Sequence, residues 1–302
     1  MKEAMKALFK AGYKIWNAMI GLSCDMFADS YRTGQSSQLY NTAHSIFNTI
    51  SACTVPLATL FFIIAIYKTV SSTPPEQQAK KFLLDALKYA IILYLSAHLW
   101  DITGYIIDFA SEITSAINTG GAYGKIDADN NAVVNAIDAL DLSVKGHGLN
   151  IGEYILDALS LVVTILIYFI GGLASIIILG ATGLTVIGVA FERIIKPLVI
   201  LPFSAIVLGI GACSGEGERM LWHYGKSLLG LAIAGAFMIT AIRLGNALFA
   251  TFNFGNMFME DPNATGNDIV FALVTIVQVD MTAIIIAGLL KSMDSLVAKV
   301  FG

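Results

Sequence analysis

The chain has 302 residues, 56% of them hydrophobic and 13% charged, against roughly 25% charge in ordinary soluble domains. Its formal net charge of −4 is spread thinly and argues against a nucleic-acid-binding surface, which is usually a basic stripe. Residues 158–191 carry no side chain that is charged at neutral pH, a run well beyond the roughly 20 apolar residues that cross a bilayer, which excludes an ordinary soluble fold. The expected class is all-α: a polytopic helical membrane protein with about six or seven transmembrane helices and an N-terminal amphipathic helix.

In chain order, residues 1–45 form the N-terminal amphipathic region. Lys2, Lys6, Lys10 and Lys14 recur every four residues, which makes one basic stripe on a helix and leaves no uncharged core for a cleaved export signal. Leu8, Ile15, Ala18 and Leu22, with Trp16 beside them, are expected on the opposite side, so the helix should lie on a bilayer or against a partner. Residues 46–113 hold the first two transmembrane helices. The first, over 46–67, contains Pro56. The basic connection with Lys68, Lys80 and Lys81 is then cytoplasmic under the positive-inside rule. The second spans about 82–107 and continues into water. Residues 114–153 form an acidic extracytoplasmic loop with Asp127, Asp129, Asp138 and Asp141, containing a short helix over 132–142.

Residues 154–290 form the helical core. Gly171–Gly172 and Gly180–Gly183 are the candidate breaks: a full span over 154–179 is expected, followed by a short broken or re-entrant piece to 191, with a tight two-span hairpin as the alternative. Further spans are expected over 197–212, with Pro202 inside, over 226–249, and over 269–290 after the acidic turn of Glu260, Asp261 and Asp268. A short tail over 291–302 carries Lys291 and Lys299. Cys24, Cys53 and Cys213 lack metal or disulfide spacing and read as buried apolar residues.

Ionisable groups at membrane depth are costly and mark candidate sites. Asp280, with Gln278, falls mid-span; it could line a watery path, bind a cation or pair with Arg243 of the preceding span. His98, Asp101, Tyr105, Asp108 and Glu112 follow steps of three or four residues and share one helix face, as a relay or as a solvated helix end. The chain lacks a phosphate-binding loop, a zinc-protease motif and a nucleophile elbow, and His44, His98, His147 and His223 lie far apart. Asn263-Ala264-Thr265 fits the glycosylation triplet. No catalytic residue, cofactor or metal site is assigned, and the chain is expected not to be an enzyme.

Residues 191–249 place an arginine at a span entrance (Arg193), prolines in the following span (Pro197 and Pro202), a short polar Gly/Glu turn, a tryptophan (Trp222) and another small-residue span. This order resembles the TrbL-like polytopic inner-membrane channel subunits of type IV secretion and conjugal transfer systems, in the compact form found on Gram-positive mobile elements. The resemblance implies a non-enzymatic channel or scaffold subunit in the bacterial cytoplasmic membrane. Its implied partners are membrane lipid, further copies of itself, other channel subunits and a separate conjugation ATPase, with transient contact to single-stranded DNA or protein cargo. The other reading of the residues is a secondary transporter or ion-coupled permease.

Overall fold

The computed structural model describes residues 1–30, 32, 37–119, 124–143, 151–212, 215–251 and 268–301. Cys213, His147, the turn at Glu260 and Asp261, and the Asn263 triplet lie outside them. The described residues are helical, without a strand: α1 (Lys2–Ala28), α2 (Ser37–Ser51), α3 (Thr54–Ser72), α4 (Pro75–Asn118), α5 (Ala132–Ala139), α6 (Ile151–Ile200), a 3-10 turn (Leu201–Phe203), α7 (Ser204–Ile210), α8 (Glu216–Thr251) and α9 (Asp268–Phe301). Five helical segments are long and apolar enough to cross a membrane: Thr54–Ser72, Pro75–Asn118, Gly152–Ile210, Gly217–Ala247 and Ala272–Phe301. They are compatible with a multi-pass membrane protein.

Several expected boundaries move, for physical reasons. The first span does not run unbroken over 46–67. The chain leaves the helix after Ser51 and re-enters at Thr54, so Pro56 occupies the first turn of α3, where no backbone N–H is required. The glycine-rich run does not break α6. Fifty residues form one helix, about 75 Å long, which merges two expected pieces and lowers the number of candidate spans. Pro197 is carried inside it. The expected span over 197–212 is instead divided, because Pro202 falls in the 3-10 turn between α6 and α7.

The burial pattern of α6 inverts that of a soluble helix. Thr164, Tyr168, Gly172, Ser175, Leu179, Gly183, Val186 and Ala190 form its buried row, stepping by three or four. Leu159, Val162, Leu166, Ile170, Leu173, Ile177 and Leu184 point outward. Small and hydroxyl-bearing residues inside, with large aliphatics outside, is the pattern expected where lipid replaces water and helices associate by close approach.

The chain divides into two compact units. The first comprises Met1–Cys24, Gly120–Val189 and Thr240–Ser292; the second comprises Asp25–Thr119, Ala190–Ile239 and Met293–Gly302.

In the first unit, α1 runs parallel to α6. A side chain at Gly172 would lie 3.0 Å from Leu8 Cβ, one at Gly12 would lie 3.4 Å from Ile176 Cα, and Met19 sits over Gly183. The buried row of α1 within this unit is Met5, Phe9, Tyr13, Trp16, Ile20 and Cys24. Ile15 and Leu22 are exposed, so the aromatic row, with more area to bury, takes the place of the predicted aliphatic one. The lysine side of α1 is covered by the acidic loop rather than left open. Lys6 pairs with Asp138, Lys10 with Asp129 at 2.7 Å, and Lys2 donates to the Asp138 carbonyl. Asn17 exchanges two hydrogen bonds with the Ile126 backbone, both 2.7 Å, and the Trp16 indole donates to the Gly124 carbonyl. Gly124 is required there: its φ is +76°, and a Cβ would meet Ile20 Cγ1 at 2.7 Å. The short helix α5 is capped by Asn131, whose side chain accepts from the Val134 N–H.

In the second unit, α3 packs on α4 and α7, and α2 on the 3-10 turn. Trp100 of α4 is the centre of its larger core. Tyr40 and Phe47 lie 4.9 and 5.0 Å from its ring and His44 stacks on it at 4.7 Å. Ala58, Ile92, Leu208 and Ala212 form a second cluster. Gly209 lets α7 approach α3, since a Cβ there would lie 3.1 Å from the Thr54 carbonyl oxygen. Cys24 is buried, as expected, but Cys53 is exposed in the α2–α3 break.

Candidate functional site

In the first unit, the residues with chemical potential converge on Asp280. The buried row of α9 is Ala272, Thr275, Ile276, Asp280, Ala283, Ile286 and Leu290, so one carboxylate interrupts an apolar stripe. Gly171 and Ile276 set how near α6 and α9 come, because a Cβ on Gly171 would meet Ile276 Cδ1 at 2.6 Å. One turn further along both helices, the Ser175 hydroxyl donates to Asp280 Oδ2 at 2.9 Å. Tyr13 of α1 is fully buried and feels the Asp280 charge. The expected alternative, an ion pair with Arg243, is not formed. Arg243 is exposed, and the hydrogen bond to Asp280 comes from Ser175. Gln278 is half-buried and its carbonyl accepts the Thr282 hydroxyl.

Outside the candidate spans, the lysine–aspartate contacts of the first unit shift Lys6 and Asp129. Hydrogen bonds to Asp138 and then Glu3 hold the Lys6 ammonium above its ordinary range. The hydrogen bond from Lys10, followed by its charge, holds the Asp129 carboxyl below the carboxylate range.

In the second unit, the polar stripe of α4 lies on one face as its spacing requires. His98, Asp101, Tyr105 and Glu112 are exposed, and Asp108 is half-buried. Asp108 is engaged by Arg32 at 3.0 Å and by the Ser30 hydroxyl at 3.2 Å, while Arg32 also stacks over the Tyr105 ring. The stripe therefore holds the segment that follows α1. A second buried carboxylate, Asp85, accepts the Thr69 hydroxyl at 2.9 Å across the α3–α4 pair.

Arg193 is 2% exposed. Its Nη1–H donates to the Met26 carbonyl at 3.0 Å, which also accepts the Asp29 N–H at 3.4 Å; the negative end of α1 favours a cation beside it. Ser111 of α4 donates to the next exit carbonyl, Asp29, at 3.1 Å. Gly235 of α8 makes room for this junction: a Cβ there would lie 2.6 Å from both Arg193 Nε and the Phe27 carbonyl oxygen. Pro197 and Pro202 are buried just beyond. Trp222 is 67% exposed, with the Lys226 ammonium 5.6 Å above its ring.

Sequence reasoning singled out Asp280 but missed Tyr13, Ser175, Thr69 and Arg32 as partners. Ser175 was visible as one of the few hydroxyls in the uncharged run; Tyr13 was hidden by choosing the wrong face of α1. Among the described residues, no group of three or more His, Cys, Asp or Glu side chains is placed to hold a metal ion. Comparison with family models, with curated proteins and with solved structures returned no match.

Proposed function

We propose that the chain is a non-enzymatic channel or scaffold subunit of a type IV secretion machine of the conjugative DNA-transfer kind, seated in the bacterial cytoplasmic membrane. The observation that carries this reading is the junction around Arg193. The segment whose residue order resembles the TrbL-like subunits supplies a buried arginine that donates to the end of α1 and two buried prolines, one in the last turn of α6 and one in the 3-10 turn that follows. A segment that serves an architectural purpose fits a subunit whose task is to hold a shape. The outward rows of large aliphatics on α6 and α9 suit contact with lipid or with neighbouring subunits. Energy for transport then comes from a separate ATPase, and cargo, whether single-stranded DNA or protein, passes through an assembly of several copies with other channel subunits.

The test is co-purification. The tagged chain, expressed with a conjugation ATPase and the membrane subunits encoded beside it, is expected to bring those partners down in detergent. Robust solute uptake by the purified chain alone in liposomes contradicts this reading and favours the ion-coupled permease, for which the buried Asp280 is the specific support.

A further inference from the structure

Among the described residues, Asp280 makes no ion pair; on α8, which packs on α9 where Gly245 meets Ile286, the one charged residue over 227–249, Arg243, is exposed. Asp280 is 6% exposed. Facing it from α6 is Ser175, in a helix that carries no ionisable side chain other than tyrosine over residues 158–191. Facing it from α1 is Tyr13; the lysines of α1 lie elsewhere, with Lys10 on Asp129 and Lys14 exposed. Along α9 itself, Asp280 is the sole ionisable residue over 269–290. A bare carboxylate in such surroundings is prohibitively costly, and the ordinary remedies are a proton or a bound cation.

The hydrogen bonding points the same way. Ser175 satisfies Asp280 Oδ2. Asp280 Oδ1 and the Tyr13 hydroxyl are both buried and without a hydrogen-bond partner among the described residues. Tyr13 lies within electrostatic reach of the Asp280 carboxylate, yet no hydrogen bond joins them. Buried polar atoms are nearly always satisfied. Two orphaned oxygens from different helices, beside a third oxygen on Ser175, are hard donors of the kind that hold a small hard cation.

We propose that Asp280, Ser175 and Tyr13 form a binding site for a small monovalent cation, sodium or a proton, between α1, α6 and α9. Loading neutralises the carboxylate and ties the three helices together; unloading leaves a charge that drives them apart or draws in water. The site therefore couples cation occupancy to the packing of α1 on the core, and it does not depend on the secretion reading.

A lipid-soluble carbodiimide tests this, because it reacts with protonated carboxyl groups in apolar surroundings. The full chain in detergent or liposomes is treated, and peptide mass mapping locates the adduct. Asp280 is expected to be labelled at acidic pH. The rate is expected to fall either with added sodium at fixed pH, which identifies sodium, or with rising pH alone, which identifies the proton. Choline chloride at equal ionic strength should give no protection. Asp280→Asn removes the adduct. Because that variant can also perturb folding, Tyr13→Phe and Ser175→Ala provide the second arm: each retains labelling, while the sodium or pH midpoint shifts by about ten-fold, as expected for one lost oxygen contact. Labelling at Asp280 that neither sodium nor pH alters, absence of any adduct there, or unchanged midpoints in both conservative variants overturns the site.

Discussion

Arg193→Ala is expected to lower the stability of the purified protein by about 2–4 kcal/mol, from the loss of a charge-assisted hydrogen bond and the cavity left by a long side chain. The guanidinium is buried and donates to Met26 at the end of α1. Removing it leaves that carbonyl with only the longer bond from the Asp29 N–H, 3.4 Å, and removes the cation from the negative end of the helix. Arg193→Lys should recover less than half of the loss, since one ammonium cannot reproduce a planar multi-donor group in a fixed pocket. Arg193→Met should fall between the two, because it restores volume and removes a buried charge that is itself expensive to desolvate. Gly235→Ala is expected to mimic part of the defect, as its Cβ would collide with the Phe27 carbonyl oxygen at 2.6 Å. Thermal unfolding in detergent measures all four. An Arg193→Ala midpoint equal to the parent's contradicts the structural role given to this junction, and with it the main support for the secretion reading.

Gly172→Leu is expected to displace α1 from α6, with a loss of at least about 3 kcal/mol, because overpacking here is opposed by backbone-borne atoms. The Leu8 Cβ already lies 3.0 Å from where the first carbon of a new side chain would stand. Gly188→Leu is the matched control: nothing lies within 4 Å of its Cβ position, and leucine is the better helix former by about 1 kcal/mol. The first variant should lose protection of α1 against hydrogen exchange while the second keeps it. Equal protection in both variants contradicts the close packing of α1 on α6.

These glycines show where the sequence was legible and where it was not. The long uncharged run identified a membrane-compatible helix, and the helical class followed from it. The same run was expected to break at Gly180–Gly183, because glycine both weakens helices and permits their close approach, and composition alone does not tell these roles apart. In the structure Gly171, Gly172 and Gly183 are contact points, while Gly180 meets nothing; neither role interrupts the helix. Three of the N-terminal lysines, Lys2, Lys6 and Lys10, meet the acidic loop along one side of α1. The buried face could not be read from them, because apolar residues occupy more than one side and only the position of α6 selects the row of Phe9, Tyr13 and Trp16. The Arg243–Asp280 pairing failed for the same reason: the rotation of each helix about its axis is fixed by packing, not by depth along the sequence. Asp280 itself stood out because a carboxylate inside an apolar span is conspicuous in any rotation.

The central claim is that the described helices live in lipid and present their large aliphatics outward. Spin labels placed singly along residues 159–177 of α6, in the full chain reconstituted into liposomes, test it most directly. Oxygen accessibility should rise and fall with a helical period, peaking at Leu159, Val162, Leu166, Ile170, Leu173 and Ile177, while a water-soluble nickel chelate is excluded from the apolar stretch over about 20 residues. Free entry of the nickel chelate at all of those outward positions contradicts the account.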